Sequence, residues 1–219
     1  AIPGLLNALK HQKSDVRNKA AEVLGLLGSA EAIPGLLNAL EDQDPDVRWR
    51  AAEALAKLGH MEVVVLRSSA NDLRQLGSAE AIPSLLNALK DQDSDVRWSA
   101  AKVLGQLGSA EAVPGLFNAL EDQDSYVRRS VADALGQLGS AEAIPGLLKA
   151  LKDQDSDVCK RAADALGKLR RVEAIPGLLK ALKDHDPNVC RSAADALSEF
   201  GGERAAIALK QILQRRRTD

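Results

Sequence analysis

The chain has 219 residues and a formal net charge of −2, and hydrophobic residues make up 45% of it but aromatic residues only 2%. A single globular core normally contains more large aromatic side chains, so alanine and leucine must fill the interior, as they do between closely packed helices. The small net charge gives no general attraction to nucleic acids or anionic lipids, and no stretch is long and apolar enough to span a bilayer. We therefore predict neither a nucleic-acid partner nor a membrane partner.

One segment recurs along the chain. AIPGLLNAL begins at Ala1 and again at Ala32, and close variants of it follow. Its proline marks the period, since successive prolines are 31 residues apart except for one step of 49. These prolines are Pro3, Pro34, Pro83, Pro114, Pro145 and Pro176. A repeat of this length fits two helices and two turns, so we predict an all-α fold, an α-solenoid of about seven helix-turn-helix repeats.

Each repeat is predicted to contain a first helix, A, and a second helix, B. Helix A carries apolar residues with the i, i+3, i+4, i+7 period of an amphipathic helix; in the second repeat these are Ile33, Leu36, Leu37 and Leu40. Proline falls near the start of A, where a helix tolerates it best. Small alanines along B allow the two helices to approach closely.

Capping residues mark the ends of helix B. Glycine follows B where a left-handed C-cap belongs, at Gly59, Gly108 and Gly139. The turn from A to B ends in an aspartate that is predicted to cap B, and these residues are Asp44, Asp93, Asp124, Asp155 and Asp186. Lys13 holds this place in the first repeat, so we expect Ser14 to cap there instead.

The repeat pattern breaks between Gly59 and Gly77. The segment VLRSSANDLRQLG resembles the B-helix segment VRRSVADALGQLG, so we predict a degenerate repeat without a complete A helix, through which a homodimer could form. The predicted repeats are 1–28, 29–59, degenerate 60–77, 78–108, 109–139, 140–170 and 171–201, with a C-terminal half repeat at 202–219. In that half repeat Lys210 replaces an apolar residue, as a terminal cap requires.

These motifs resemble the HEAT-like repeats of the phycobilisome-lyase type, and they are also similar to artificial helical-repeat scaffolds. The resemblance rests on the recurring AIPGLLxAL, the acidic turn and DVRxxAAxALGxLG, and it covers nearly the whole chain. It implies a right-handed superhelix whose B helices line the concave face. Tetratricopeptide repeats fit less well, because their period is 34 residues.

Catalytic and metal-binding patterns are missing. The DxDxD turns imitate the start of a calcium-binding loop, but Val47 stands where that loop requires glycine. The histidines lack ligand spacing, and they do not form the His-Glu pairs that bind iron in the HEAT-like deoxyhypusine hydroxylase. Cys159 and Cys190 stand one repeat apart, too far for a disulfide, so we interpret them as reduced thiols in a cytoplasmic protein. We predict no enzyme, no cofactor and no metal.

A ridge on the B helices is the predicted binding surface. The residue two positions after the first buried valine of B points away from the apolar stripe, because two positions rotate a helix by about 200°. Both tryptophans take this position, and variable charged residues surround them. The predicted partner-binding residues are Trp49, Arg50, Glu53, Arg67, Trp98, Lys102, Arg129, Lys160 and Arg191.

We predict a protein-interaction scaffold that binds another protein on this concave ridge. Two alternatives stay open. The family resemblance implies a bilin-lyase subunit or phycobiliprotein chaperone, in which Arg67 and Arg129 would meet the bilin propionates. The near-identity of the repeats fits a designed or consensus-like scaffold without a natural partner. The start inside a repeated motif indicates a piece of a longer protein.

Overall fold

The described part of the chain consists of α-helices joined by short turns. The computed structural model describes residues 1–65 and 78–200, and the side chains of residues 1–58 and 81–200. Short A helices alternate with longer B helices in these ranges: α1 Ile2–Ala8, α2 Ser14–Leu27, α3 Ile33–Ala39, α4 Pro45–Val65, α5 Ser78–Ala88, α6 Ser94–Leu107, α7 Val113–Ala119, α8 Ser125–Leu138, α9 Ile144–Ala150, α10 Ser156–Leu169, α11 Ile175–Ala181 and α12 Pro187–Ser198. These ranges contain no strand, and the predicted all-α solenoid is confirmed. None of these helices is both long and apolar enough to cross a membrane.

A short 3₁₀ turn precedes most A helices, and proline then enters the first helical turn. Before α3, for example, the 3₁₀ turn spans Ala30–Ala32 and Pro34 follows within the first two helical positions. Proline suits this place because its missing N–H would have no partner there. Helix α5 differs, since its helical geometry begins at Ser78 and Pro83 lies inside it.

Aspartate side chains cap the B helices, as predicted. Asp124 and Asp155 each accept two backbone N–H groups of the first turn, and Asp44, Asp93 and Asp186 each accept one. These bonds satisfy donors that have no partner within the helix.

The first repeat departs from this capping pattern. Helix α2 begins at Ser14, and its N-cap is Lys13 without a side-chain bond, so the expected cap by Ser14 is wrong. His11 Nδ1 accepts from the Lys13 N–H at 3.1 Å. Imidazole thus takes over the turn contact that Asp42 Oδ1 makes with the Asp44 N–H in the next repeat.

Glycine ends three of the B helices in the left-handed conformation. Gly28, Gly108 and Gly139 have φ values of 68–69°, as a C-cap requires. The predicted C-cap at Gly59 is wrong, because α4 continues through it to Val65. The physical reason lies in the next residue. A serine follows the three capping glycines and opens the next turn, whereas His60, Met61 and Glu62 follow Gly59 and none of them favours a turn.

Arg170 takes the glycine position after α10 with a left-handed φ of 49°. A side chain in this region costs about 1 kcal/mol, and its ion pair with the exposed Glu199 recovers little in water. We expect Arg170→Gly to raise the free energy of unfolding by about 1 kcal/mol in urea denaturation. The reciprocal Gly139→Ala should lower it by a similar amount, since a Cβ there meets no atom within 4 Å and only the backbone is strained. Equal stability of both variants and the parent would contradict this explanation.

The helices pack into two compact units, Ala1–Ala119 and Leu120–Asp219. In the first unit α4 packs against both α2 and α6, and in the second α10 packs against both α8 and α12. Within these units α1, α3, α5, α9 and α11 each pack on the B helix that follows. Leucines fill the interior at less than 2% exposure: Leu24, Leu36, Leu58, Leu85 and Leu104 in the first unit, and Leu135, Leu147, Leu166 and Leu178 in the second.

Helices α4 and α6 are direct neighbours although the irregular segment separates them in sequence. Arg48 on α4 donates to Asp91 at 2.7 and 2.9 Å across 43 residues. Arg17 makes the same contact with Asp42 across 25 residues, so 18 extra residues intervene in the first case. Of the predicted degenerate repeat at 60–77, the structure describes only the backbone of residues 60–65, which form the end of α4, so this repeat stays a prediction. The predicted repeat boundaries stay predictions, and the half repeat at 202–219, with Lys210, lies outside the described residues.

Candidate surface on the B helices

Both tryptophans lie on B helices that pack against each other. Trp49 on α4 and Trp98 on α6 hold equivalent repeat positions, and axes of packed helices lie roughly 8–10 Å apart. Each tryptophan is half-buried, whereas Val47 and Val96, two positions earlier, are completely buried. The predicted rotation away from the apolar stripe is therefore present. We use the name B-helix ridge for this surface of the first unit, formed by Lys19, Glu22, Trp49, Arg50, Glu53, Lys57, Trp98 and Lys102.

Arg50 covers the ring of Trp49. Its guanidinium carbon lies 4.3 Å from the ring centroid, within the range of a cation–π contact. Its Nη1 donates to Glu53 at 2.6 Å, and Lys57 reaches the other carboxylate oxygen at 3.0 Å. Burial raises the pKa of Glu53, but the hydrogen bonds from Lys57 and Arg50 outweigh it, so this pKa lies below its ordinary value. One ionised carboxylate thus holds two cations beside Trp49.

Lys102 covers the ring of Trp98 in the same way. Its Nζ lies 5.3 Å from the ring centroid. Unlike Arg50, Lys102 has no carboxylate within ion-pair distance among the residues that the structure describes. Each tryptophan of the ridge therefore has a cation over its ring, and only one of these cations is neutralised.

Arg129 belongs to the second unit, and its contacts differ from the prediction. The sequence suggests an i, i+4 pair with Asp133, but Arg129 reaches the next B helix instead, at 2.7 Å from Asp155 and 2.9 Å from Asp157. Asp133 is 3.6 Å from Arg161. The bond from Arg129 is the main cause that lowers the pKa of Asp155 to about 2. Arg129 therefore fastens two adjacent helices.

Two further predicted residues of the second unit, Lys160 and Arg191, could still contact a partner. Lys160 is half-buried and Arg191 is exposed. Neither forms an ion pair with a described residue, although an aspartate stands four positions after each of them, Asp164 and Asp195. Arg67 lies outside the described residues. The nine predicted residues thus comprise five on the B-helix ridge, three in the second unit and one that is not described.

Sequence reasoning missed Tyr126. This side chain is 66% exposed at the start of α8, and the guanidinium carbon of Arg129 lies 4.8 Å from its ring centroid. The signal was present in the sequence, because tyrosine replaces the aspartate that most other repeats carry between the cap and the buried valine.

Sequence reasoning also missed a recurrent contact between repeats. The arginine after the buried valine donates through Nη1 to two carbonyls of its own turn and through Nε and Nη2 to the first aspartate of the next turn. The described pairs are Arg17–Asp42, Arg48–Asp91 and Arg128–Asp153. The recurring VR and DQD motifs were the signal. Their partnership across repeats depends on helix packing, which no local pattern contains.

Cysteine replaces this arginine in the last two described B helices. Cys159 and Cys190 are free thiols. Each donates only to a carbonyl of its own turn, Asp153 at 3.3 Å and Asp184 at 3.2 Å. Burial raises the pKa of Cys159 to about 11. Because the thiolate is the reactive form, this environment suits packing rather than nucleophilic chemistry.

Clefts lie between adjacent A–B turns, and no tryptophan lines either of the two described below. A cleft of about 970 Å³ separates the turns at residues 40–45 and 90–93, and one of about 650 Å³ separates those at 120–123 and 152–154. Arg48 with Asp91 lines the first, and Arg128 with Asp153 lines the second. In both clefts the arginine already donates to the aspartate and to two backbone carbonyls. Neither cleft brings a nucleophile together with a base, and the described residues contain no group of three or more potential metal ligands.

Known structures resemble this chain over most of its length. An engineered protein is 26% identical, with a TM-score of 0.68 over 91% of this chain and 96% of the other. The complex of CpcE and CpcF of phycocyanin lyase from Nostoc sp. PCC7120 is 27% identical, with a TM-score of 0.63 over 95% of this chain and 80% of the other. Human deoxyhypusine hydroxylase is 26% identical, with a TM-score of 0.51 over 91% and 84%. No curated protein sequence matched.

The family assignment rests on sequence matches that overlap along the chain. The model for HEAT repeats matches residues 2–76, 60–116, 82–163 and 144–219. These segments together extend from the first A helix to the last residue, in agreement with the alternating helices and the contacts between successive repeats. The chain therefore belongs to the HEAT-repeat family.

Proposed function

We propose that this protein is a non-enzymatic scaffold that binds a partner protein on the B-helix ridge. The observation that carries the proposal is the pair of half-buried tryptophans on neighbouring helices, each with a cation over its ring. Helical-repeat folds are typical of interaction scaffolds, because stacked repeats present an extended surface. The remaining predicted residues, Arg67, Arg129, Lys160 and Arg191, stay predictions of partner contacts.

The ridge has the properties of an interaction hot spot. Tryptophan and arginine dominate binding energies when they are packed at the centre of an interface. Trp49 and Trp98 are partly packed already, and Arg50 is held by Glu53. Little side-chain entropy is then lost on binding. These features favour a binding role over ordinary helix-surface charge pairing, which contributes only a few tenths of a kcal/mol.

Truncation of either tryptophan should weaken partner binding without unfolding the protein. After a partner has been isolated by pull-down, we expect Trp49→Ala and Trp98→Ala each to reduce its affinity by about 2 kcal/mol or more, or roughly 30-fold. Calorimetric titration of the purified partner measures this change. Melting temperatures of the variants should stay close to that of the parent.

Asn87→Ala is the matched control, because Asn87 is exposed on the A helix α5 of the same unit. It should bind as the parent does. Loss of binding in this variant alone would move the site to the other side of the repeat. Equal losses in both tryptophan variants together with lower melting temperatures would make Trp49 and Trp98 core residues.

The similarity to the phycocyanin-lyase complex favours a second candidate, a bilin-lyase subunit or phycobiliprotein chaperone. A bilin needs cations for its two propionates. Lys102 could supply one of them, whereas Arg129 is engaged by Asp155 and Asp157. A shift of the bilin absorption band on mixing with the protein would support this candidate, and an unchanged spectrum would exclude it. A designed scaffold, a homodimer through residues 60–77 and a cytoplasmic location stay predictions.

A further inference from the structure

Charge is unevenly distributed over the first unit although the whole chain has a net charge of −2. Aspartates concentrate in the A–B turns, where they cap helices and hold arginines. The B-helix ridge carries four cations, Lys19, Arg50, Lys57 and Lys102, against two carboxylates, Glu22 and Glu53. The ridge therefore has an excess of two positive charges on a chain that is negative overall.

The contacts identify where this excess lies. Lys19 pairs with Glu22 at 2.8 Å, which neutralises both. Arg50 and Lys57 both pair with Glu53. Because one carboxylate neutralises only one of the two cations, one positive charge remains beside Trp49. A second remains on Lys102 over Trp98.

This arrangement determines which ligand chemistry fits. A half-exposed indole favours an apolar side chain, and the cation over its ring favours a carboxylate next to that side chain. The same pair of groups recurs on α4 and on α6, one helix spacing apart. A basic partner would bring its charge against Lys102 and Arg50, and like charges at an interface are costly.

We propose that the B-helix ridge recognises an acidic segment of its partner, in which apolar residues alternate with aspartate or glutamate. This inference rests on the proposed function and names the class of the partner. Apolar side chains of the segment contact Trp49 and Trp98, and its carboxylates pair with Lys102 and with the Arg50–Lys57 pair. Binding then weakens as salt screens these charges.

The test uses three synthetic peptides of equal length with leucine at the same positions and glutamate, lysine or glutamine at all others. Trp49 and Trp98 are the only tryptophans of the chain, so intrinsic emission reports contact with the ridge. We expect the glutamate peptide to shift this emission and to bind at least ten-fold more tightly than the lysine peptide at low salt. Anisotropy of a labelled peptide gives the affinities.

Charge-reversal variants assign the preference to the ridge. Lys102→Glu should weaken the glutamate peptide about ten-fold and strengthen the lysine peptide. Lys90→Glu makes the same charge change at an exposed position after α5 and should leave both affinities nearly unchanged. Equal effects of the two variants would contradict recognition at the ridge.

The remaining outcomes separate this inference from the proposed function. Tighter binding of the lysine peptide, equal binding of all three peptides, or no binding at millimolar concentration would overturn the acidic partner. A single-stranded oligonucleotide that displaced the glutamate peptide at equal concentration would also overturn it in favour of nucleic acid. The scaffold function is tested separately, by the affinity of the isolated partner for the Trp49→Ala and Trp98→Ala variants.

Discussion

Replacing Gly136 by leucine should lower the free energy of unfolding by about 3 kcal/mol, the upper end of the usual range for overpacking. Gly136 lies where α8 contacts α10, and a Cβ built on it would be 2.8 Å from the Cβ and 3.0 Å from the Cα of Ala165. Because one of these atoms is backbone, the helices themselves must separate. Urea denaturation followed by circular dichroism measures the loss.

The same close approach occurs at Gly25 against Ala54 and at Gly167 against Ala196, so the glycine in the last turn of B sets the spacing between these B helices. Gly4 on α1 provides the control, since a Cβ there meets no atom within 4 Å. Gly4→Ala should be neutral or stabilise the protein by up to about 1 kcal/mol, because alanine favours helix. An unchanged urea midpoint for Gly136→Leu would mean that the B helices do not approach this closely.

Arg48→Ala should lower the free energy of unfolding by about 2 kcal/mol. It removes two bonds to Asp91 and two to the carbonyls of Asp42 and Gln43. Hydrogen bonds to charged groups contribute about 1.5–3 kcal/mol when they are shielded from water, and both partners here are mostly buried, at 16% and 12% exposure. A double-mutant cycle with Asp91→Ala should give a coupling energy of at least about 1 kcal/mol.

This cycle also tests whether α4 and α6 are neighbours in the intact chain. No coupling between Arg48 and Asp91 would imply that a layer formed by the irregular segment separates them. Lys149→Ala serves as the control, because its pair with Glu121 is largely exposed on both sides, and it should leave the unfolding midpoint unchanged.

The contribution of the Arg48–Asp91 pair to stability should also be measurable as a dependence on pH. Burial raises the pKa of Asp91, but the bonds from Arg48 and from the Asp93 N–H outweigh it, so the folded pKa lies below its ordinary value. A lowered folded pKa contributes stability that is complete above the unfolded value of about 4 and is lost as pH falls through the folded value. We expect the parent to lose stability below about pH 4, and Arg48→Ala to lose less over the same range. Parallel stability curves would contradict the pairing.

Local signals predicted most of the fold. Proline at the start of helix A, aspartate before helix B and glycine after it act through the backbone of a few neighbouring residues, so their consequences can be derived from the sequence. The same reasoning failed at Gly59, because a glycine ends a helix only where the following residues begin another structure. His60 and Met61 do not.

The candidate surface was only partly predictable. Trp49, Trp98 and Arg50 could be assigned to one face from helical rotation. The engagement of Arg129 by Asp155 could not, because it depends on how far the next B helix lies and not on spacing within α8. The arginine–aspartate pairs between repeats could not be predicted for the same reason.

Cys159 stands where most other repeats carry arginine, and this difference affects which part of the stack unfolds first. In a stack whose layers touch only their neighbours, each interface contributes its own stability. Cys159 donates to a single carbonyl and leaves Asp184 without the arginine that Asp42, Asp91 and Asp153 receive. The contact between α10 and α12 therefore has no arginine–aspartate pair at this point. Amide protons of α12 should exchange with solvent before those of α4, so unfolding proceeds from the C-terminal side.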